Sequence, residues 1–505
     1  MRRITGLLLS SLCCFAAEPN EKAHKLLDEA AATAGSTTLE VHILALMHLG
    51  KLYQVYDKPK AVDYFRQAFA ATSSSGEDMK NILQGEIVKN LADVSLPEAA
   101  EQLRGMAEPA TTLEGNTSAI DRVTQLLIAK SEFDKATEVM GLVPAAAAYP
   151  FRAAGSVFDA LPNNDPRRVL IFTRATAAYQ RRPEREFTEM LHARWRKLPR
   201  EVAEAALNAV ANAILVKKDQ NFSFNGDEAD DNGKMILKNL RTVELAWMYQ
   251  VMNGVDPKRA QELAATNQEI KTASVEKLKE PKTEEKKAEP SKDDEDDGMY
   301  PPLSILRGID IDNLSDRIGQ WALAEKKATA ALELAEKDLP QSLSRIGDLP
   351  YPAMKAQAIC GLAKKFAPKD QATGKSLIDK CLDAVSDVKD PADTGTPLLS
   401  AAQAAMTIKL RDRAWEAMQK AVVISGEAYV AEANAEKVNK ALREYWPSLQ
   451  MCRLTAYTGA KLFAEEADTL LRDVRDPDMS VIMRIEMARA LMKEPQYAHS
   501  MSFRF

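Results

Sequence analysis

The feature that most constrains this chain is a recurring unit. An amphipathic stretch of about 12 to 18 residues meets a short polar turn, often holding Pro, and a second such stretch follows. Start signals punctuate the pattern. Thr37-Thr38-Leu39-Glu40 has the form of a capping box, in which a hydroxyl accepts from the backbone and Glu reaches back. Ser95-Leu96-Pro97-Glu98 repeats it with Pro in the first turn, where no donor is needed. Asp165-Pro166, Asp256-Pro257 and Asp476-Pro477 mark further turns. No sustained period-2 alternation runs through the chain. Gly numbers only 21 of 505 residues, too few for the turns of a β-rich protein. The chain is predicted to be all-α, built from antiparallel helix pairs.

The pairs carry a specific internal pattern. Leu46, Leu49, Gly50 and Tyr53 on one helix face Ala61, Phe65 and Ala68 on the next. Small residues let such helices approach, and large ones fill the space beside them. This arrangement resembles the tetratricopeptide repeat, with Leu46 where that family has Trp and a turn one residue short. Leu398, Ala401, Ala402, Ala405, Ala414, Met418 and Ala421 have the full family spacing with small residues in place of Gly and Tyr. Val123, Leu127, Ala136, Met140 and Val143 form a weaker copy. Looser echoes join residues 136–161, 342–362 and 470–491, each reopening a helix on a basic residue, Arg152, Lys355 or Arg484. The resemblance implies an α-solenoid whose stacked helices bind partner segments along a groove. Exported bacterial helical-repeat proteins are similar in layout.

Residues 1–17 read as a signal peptide: Arg2 and Arg3, an apolar run from Ile4 to Phe15, then Ala16 and Ala17. Export to the periplasm or the cell exterior is expected. Lipid anchoring at Cys13 is disfavoured by Leu12, where a lipobox has a small residue. An N-terminal lobe over 18–270 and a C-terminal lobe over 303–494 are expected, with a flexible tail at 495–505. Between them, 271–302 reads as a disordered charged linker, since 271–300 holds seven Lys and ten acidic residues but few large apolar ones. Cys360, Cys381 and Cys452 remain after cleavage. Counting residues from the intervening turn offsets Cys360 and Cys381 by roughly 7 Å along their helices, so buried thiols are expected.

Sites of chemistry are few. Thr373-Gly374-Lys375-Ser376 ends like a phosphate-binding loop, but Lys369 stands where the first Gly is needed. His42 and His48 are spaced wrongly for two ligands on one helix face. The acidic stretch 225–233 reads as a surface loop, with Asp230 and Asn232 as weak calcium candidates because Asn239 replaces the closing Glu. Soluble lytic transglycosylases also contain large solenoids, but their Glu-Ser dipeptide is absent. No cofactor is expected. The net charge of −6 gives no case for nucleic acid, and no apolar run after the first residues could span a bilayer.

The strongest charge bias lies in Arg167–Arg200, with ten basic residues against Glu184, Glu186 and Glu189. Arg174, Arg181, Arg182, Arg185, Arg194 and Arg196 form the candidate binding set, and Arg185, Glu189, His192 and Arg196 are predicted to share one helical stripe. Tyr179, Phe187 and Trp195 are interleaved. Such a surface suits an acidic protein segment or an anionic glycan. The expected function is a non-enzymatic interaction scaffold in the cell envelope. The rival expectation is an all-helical enzyme, or enzyme accessory, acting on polysaccharide or peptidoglycan.

Overall fold

A computed structural model describes residues 21–111, 117–144, 147–216, 222–229, 235–275, 311–435, 443, 446–472 and 474–495. The expected signal peptide, most of the expected linker and nearly all of the tail lie outside them. The N-terminal helices are α1 (Glu21–Thr33), α2 (Leu39–Tyr53), α3 (Lys58–Ala71), α4 (Glu77–Val94), α5 (Leu96–Arg104), α6 (Ala119–Ala129) and α7 (Phe133–Gly141). They continue as α8 (Phe151–Ala160), α9 (Arg167–Arg181), α10 (Arg185–Arg194), α11 (Arg200–Ile214), α12 (Leu240–Val255), α13 (Pro257–Thr266) and α14 (Gln268–Ser274). The chain resumes with α15 (Ile311–Leu334), α16 (Leu339–Gly347), α17 (Pro352–Phe366), α18 (Gln371–Ser386) and α19 (Gly395–Thr407). It closes with α20 (Arg411–Ala433), α21 (Pro447–Leu462), α22 (Ala467–Leu470) and α23 (Pro477–Leu491).

The protein is an α-solenoid of antiparallel helix pairs. Sequence neighbours such as α2–α3, α4–α5, α17–α18 and α19–α20 pack against each other, and the pairs stack into two layers. Even-numbered helices from α2 to α12 touch in succession and form one layer. Their neighbours run parallel, because contacts advance together in both chains. Phe151 meets Phe187 at 5.4 Å, whereas further along Asp159 meets Arg194. Odd-numbered helices from α1 to α11 form the second layer. Ion pairs tie it from one repeat to the next: Lys60 to Asp28, Arg66 to Glu98, Arg104 to Glu138 and Arg167 to Asp134. Their sequence separations are 32, 32, 34 and 33 residues. Exposed pairs of this kind add little stability; what they reveal is a regular repeat period that apolar spacing alone had left irregular. Within α2–α3 the quoted motif is buried. A Cβ at Gly50 would stand 2.9 Å from the Phe65 ring, so only Gly permits that approach.

The first and last described helices pack on one another, a relation the sequence left open. In the C-terminal part, α15, α17, α19, α21 and α23 touch in succession, and α23 then packs against both α1 and α2. The last helix thus occupies the place a preceding repeat would hold beside α2. A solenoid ordinarily needs polar capping faces at its ends; here each end covers the other. At the centre of the seam, Asp478 accepts from the Thr38 amide at 2.8 Å, the Thr38 hydroxyl at 2.9 Å and the Tyr429 hydroxyl at 2.7 Å. The Arg443 guanidinium donates to the same carboxylate at 3.2 Å. Asp478 and Arg443 are 3% and 4% exposed, so this pair is withdrawn from water. Arg453 donates to His48 Nε2 at 2.7 Å, and Arg484 reaches Glu29 at 3.3 Å. Expressed as separate polypeptides, residues 21–275 and 311–495 should co-purify through this seam. Independent elution of the two halves on gel filtration would show that it does not hold them.

Several expectations are corrected. Thr38 is the N-cap of α2 but makes no side-chain cap, because its hydroxyl is engaged by Asp478 and Arg443. Ser95 also makes none, whereas an unforeseen capping box forms between Ser118 and Asp121. Part of the expected acidic loop is a hairpin: β1 (Phe222–Ala229) pairs antiparallel with β2 (Met235–Asn239). Its register shifts between Phe224 and Ala229, and such irregularity masks a period-2 signal. Asp230 and Asn232 fall outside the described residues. The first residues assigned to the linker are helical, since α14 runs to Ser274 and buries Ile270 and Ala273.

Cys360 and Cys381 form a disulfide rather than separate thiols. The residue count failed because the chain keeps turning past α17. Ala367 has helical dihedrals and donates to Ala363, and Asp370 donates to Phe366. The turn is therefore displaced toward α18, which brings the two cysteines level. The same packing explains Gly374. Its Cβ would lie 2.7 Å from the Ala367 Cα, so this Gly serves helix contact, within α18 and away from any strand. Gly374→Val should destabilise the protein by about 1–3 kcal/mol in urea titrations, because backbone cannot yield as a side chain can. A loss below about 0.5 kcal/mol would show that the α17–α18 turn relaxes freely.

Candidate functional site

The basic segment builds two adjacent helix pairs. Asp165 opens the corner before α9, accepting from the Arg167 amide at 2.9 Å and its side chain at 2.6 Å. Those bonds hold the Asp165 carboxyl down at about 2. Arg168 is buried, donating to the Phe158 carbonyl and stacking on that ring at 4.4 Å. Neither is therefore a free surface charge. Burial drives the Tyr149 hydroxyl up to about 12, while nearby Arg174 opposes the rise. Burial likewise raises the Glu184 carboxyl, against the pull of Arg182 at 3.0 Å.

The six candidate arginines divide into two groups. Arg174, Arg181 and Arg182 are exposed along α9 and its C-terminal end, with Arg185 half-buried at the start of α10. Arg194 and Arg196 lie at the other end of α10, roughly 14 Å away at the helical rise per residue. The predicted stripe does not continue to Arg196. The α-helix ends at Arg194, whose φ is −128°, and Trp195–Lys197 form a 3-10 turn. Three residues per turn and a changed backbone direction carry Arg196 off the helical face.

That turn assembles something unforeseen. The Arg194 guanidinium lies against Gly155 of α8 and pairs with Asp159 at 2.7 Å. Lys197 reaches the same carboxylate at 3.3 Å. Arg196 stacks on the Trp195 ring at 4.6 Å. The far edge of that indole rests on α12 at Gly254, where a Cβ would stand 2.1 Å from Cη2. One turn back, His192 stacks on Trp247 with ring centroids 6.2 Å apart, and its Nε2 meets Gln250 Oε1 at 2.8 Å. His192, Trp195 and Trp247 are half-buried, whereas Arg196 and Gln250 are exposed. Trp247 and Gly254 are seven residues apart, so they share one face of α12 and lie about 10 Å apart.

Trp247, Gln250 and Gly254 were missed in the sequence because some 50 residues and a hairpin separate them from the basic segment. Their 3- and 7-residue spacing on one predicted helix was the available signal. Elsewhere, Cys452 is fully buried and its thiol is pushed up to about 12. Native protein should resist iodoacetamide at neutral pH, since only the thiolate reacts. Rapid labelling of Cys452 without unfolding would contradict this placement. Among the described residues, no group of three or more His, Cys, Asp or Glu could hold a metal ion. Among the same residues, no helix is long and apolar enough to cross a membrane.

No family model matches the sequence, and no curated protein does. Among solved structures, the chain is similar to one described as a circular tandem repeat protein with novel repeat topology and enhanced subunit contact surfaces. The identity is 11% and the TM-score 0.20, over 92% of this chain and 88% of the other. At that TM-score the likeness carries no argument about function.

Proposed function

We propose that this protein is an exported, non-enzymatic scaffold of tetratricopeptide-like repeats that holds a protein or glycan partner in the cell envelope. The observation that carries this reading is the continuous layer of parallel helices from α2 to α12. Such a layer offers side-by-side faces over many repeats, the geometry solenoids use to hold extended partners. Repeat separations of 32 to 34 residues agree with the family period. The buried motif around Gly50 and Phe65 supports the same relation. The Cys360–Cys381 disulfide supports export, because such bonds persist in oxidising compartments.

The test is direct. Protein recovered from the native host should begin near Ala17 or Glu18 and fractionate with the envelope. Tagged protein cross-linked in place should capture a defined partner, and Arg185→Glu with Arg196→Glu should reduce that capture while leaving helicity unchanged. Recovery of intact Met1 in the cytoplasm would refute export. Equal capture by wild type and the double variant would remove the basic segment from the binding surface.

A further inference from the structure

The α10–α12 surface has a chemistry narrower than charge alone, and we infer that it is a binding site for an anionic oligosaccharide. This inference rests on the scaffold reading above and names the partner class for one part of it. Two indole rings, Trp195 and Trp247, lie half-buried along one ridge, about 10 Å apart by the seven-residue span from Trp247 to Gly254. The Trp247 indole offers an apolar face with a polar edge, which matches the C–H face of a pyranose, while Trp195 is the platform under Arg196. The spacing suits an oligosaccharide rather than a single sugar.

Between the rings, His192 and Gln250 hold each other at 2.8 Å. Together they present amide and imidazole donors and acceptors, the array that hydroxyl groups need. The charge at the Trp195 end is positive. Arg194, Arg196, Lys197 and Arg200 carry four positive charges, and Asp159, Glu204 and Asp256 carry three negative charges, for a local net of +1. Glu189, exposed one turn before His192, puts an opposing charge at the Trp247 end. A carboxylate on the ligand is therefore placed toward Arg196, whose planar fork can pair bidentately while its face stays on the indole.

Gly254 supports this as a constructed arrangement. A Cβ there would meet the Trp195 ring at 2.1 Å, so the absent side chain is what lets the indole lie across α12 and hold Arg196 outward. An acidic peptide would use the charge but would not need an indole and a His–Gln hydrogen-bonding pair beside it. That distinction makes the glycan the favoured occupant.

The experiment uses the full mature chain and three probes: oligogalacturonate, neutral dextran of similar length, and poly-L-glutamate. Two of the five Trp residues lie in the site, so binding is read by intrinsic fluorescence and checked by affinity electrophoresis. Oligogalacturonate should quench the fluorescence and dextran should not. Trp247→Ala and Arg196→Glu should each weaken binding by roughly tenfold or more with circular dichroism unchanged. Trp415→Phe, a change in α20, should leave it intact. Equal binding of dextran overturns the anionic requirement. Tighter binding of poly-L-glutamate, insensitive to Trp247→Ala, makes the surface a peptide site and overturns the proposal while leaving the scaffold reading standing. No response to any probe also overturns it, and the envelope capture assay then judges the scaffold reading separately.

Discussion

Asp478→Ala should destabilise the protein by about 3 kcal/mol, the lower end of the cost of breaking a buried ion pair, because Glu40 still faces Arg443 at 4.0 Å. Four donors converge on this carboxylate: the Thr38 amide and hydroxyl, the Tyr429 hydroxyl and the Arg443 guanidinium. Two of them come from a residue 440 positions away. Removing the acceptor leaves the Arg443 guanidinium, 4% exposed, with Glu40 at 4.0 Å as its remaining carboxylate. It also removes the acceptor of the Thr38 hydroxyl, leaving only the Arg443 bond that diverts it from capping α2. The tyrosine should respond too: burial and the bond to Asp478 both push its hydroxyl above its ordinary range. Urea titration followed by circular dichroism measures the loss. Hydrogen exchange should localise it to α1, α2 and α23, because opening the seam uncovers helices from both ends of the chain. A loss below about 1 kcal/mol would mean that the seam is held by apolar packing alone. Asp478→Asn separates the two contributions, since it keeps the shape and an acceptor but removes the charge.

Reducing the Cys360–Cys381 bond should cost about 3 kcal/mol, the loop-closure value for its 21-residue separation. Cys360→Ser with Cys381→Ser should reproduce the loss without reductant. The bond joins α17 to α18 across their turn, so helicity should survive and the urea midpoint should fall. A shift corresponding to less than about 0.5 kcal/mol would show that the unfolded chain gains little freedom from the cut. The bond also makes a thiol count informative. Five cysteines, less this pair, less Cys13 and Cys14 in the expected signal peptide, leave Cys452 alone. Denatured but unreduced protein from the native host should therefore titrate one thiol. Three thiols would mean either that the leader is retained or that Cys360 and Cys381 are reduced, and mapping the alkylated residues separates the two.

The sequence by itself determined the helical class and the pairing of neighbouring helices. Those follow from the 3.6-residue period and from turn chemistry, properties of stretches shorter than twenty residues. The motif from Leu46 to Ala68 was legible for the same reason, since every member falls within one helix pair. Arg174, Arg181 and Arg182 were placed on an exposed surface because α9 alternates faces cleanly. Arg196 was misplaced because a local period assumes an unbroken helix, and the backbone leaves that path at Arg194. The level pairing of Cys360 and Cys381 depended on three residues that continue the turn of α17, a shift smaller than the error on any predicted helix end. Only the tertiary structure joined Trp247, Gln250 and Gly254 to His192 and Trp195, through the parallel packing of α10 and α12. Only it brought Asp478 to Thr38. Long-range contacts of this kind have no local signature: Thr38 reads as a helix cap until a carboxylate 440 residues later takes its hydrogen bonds.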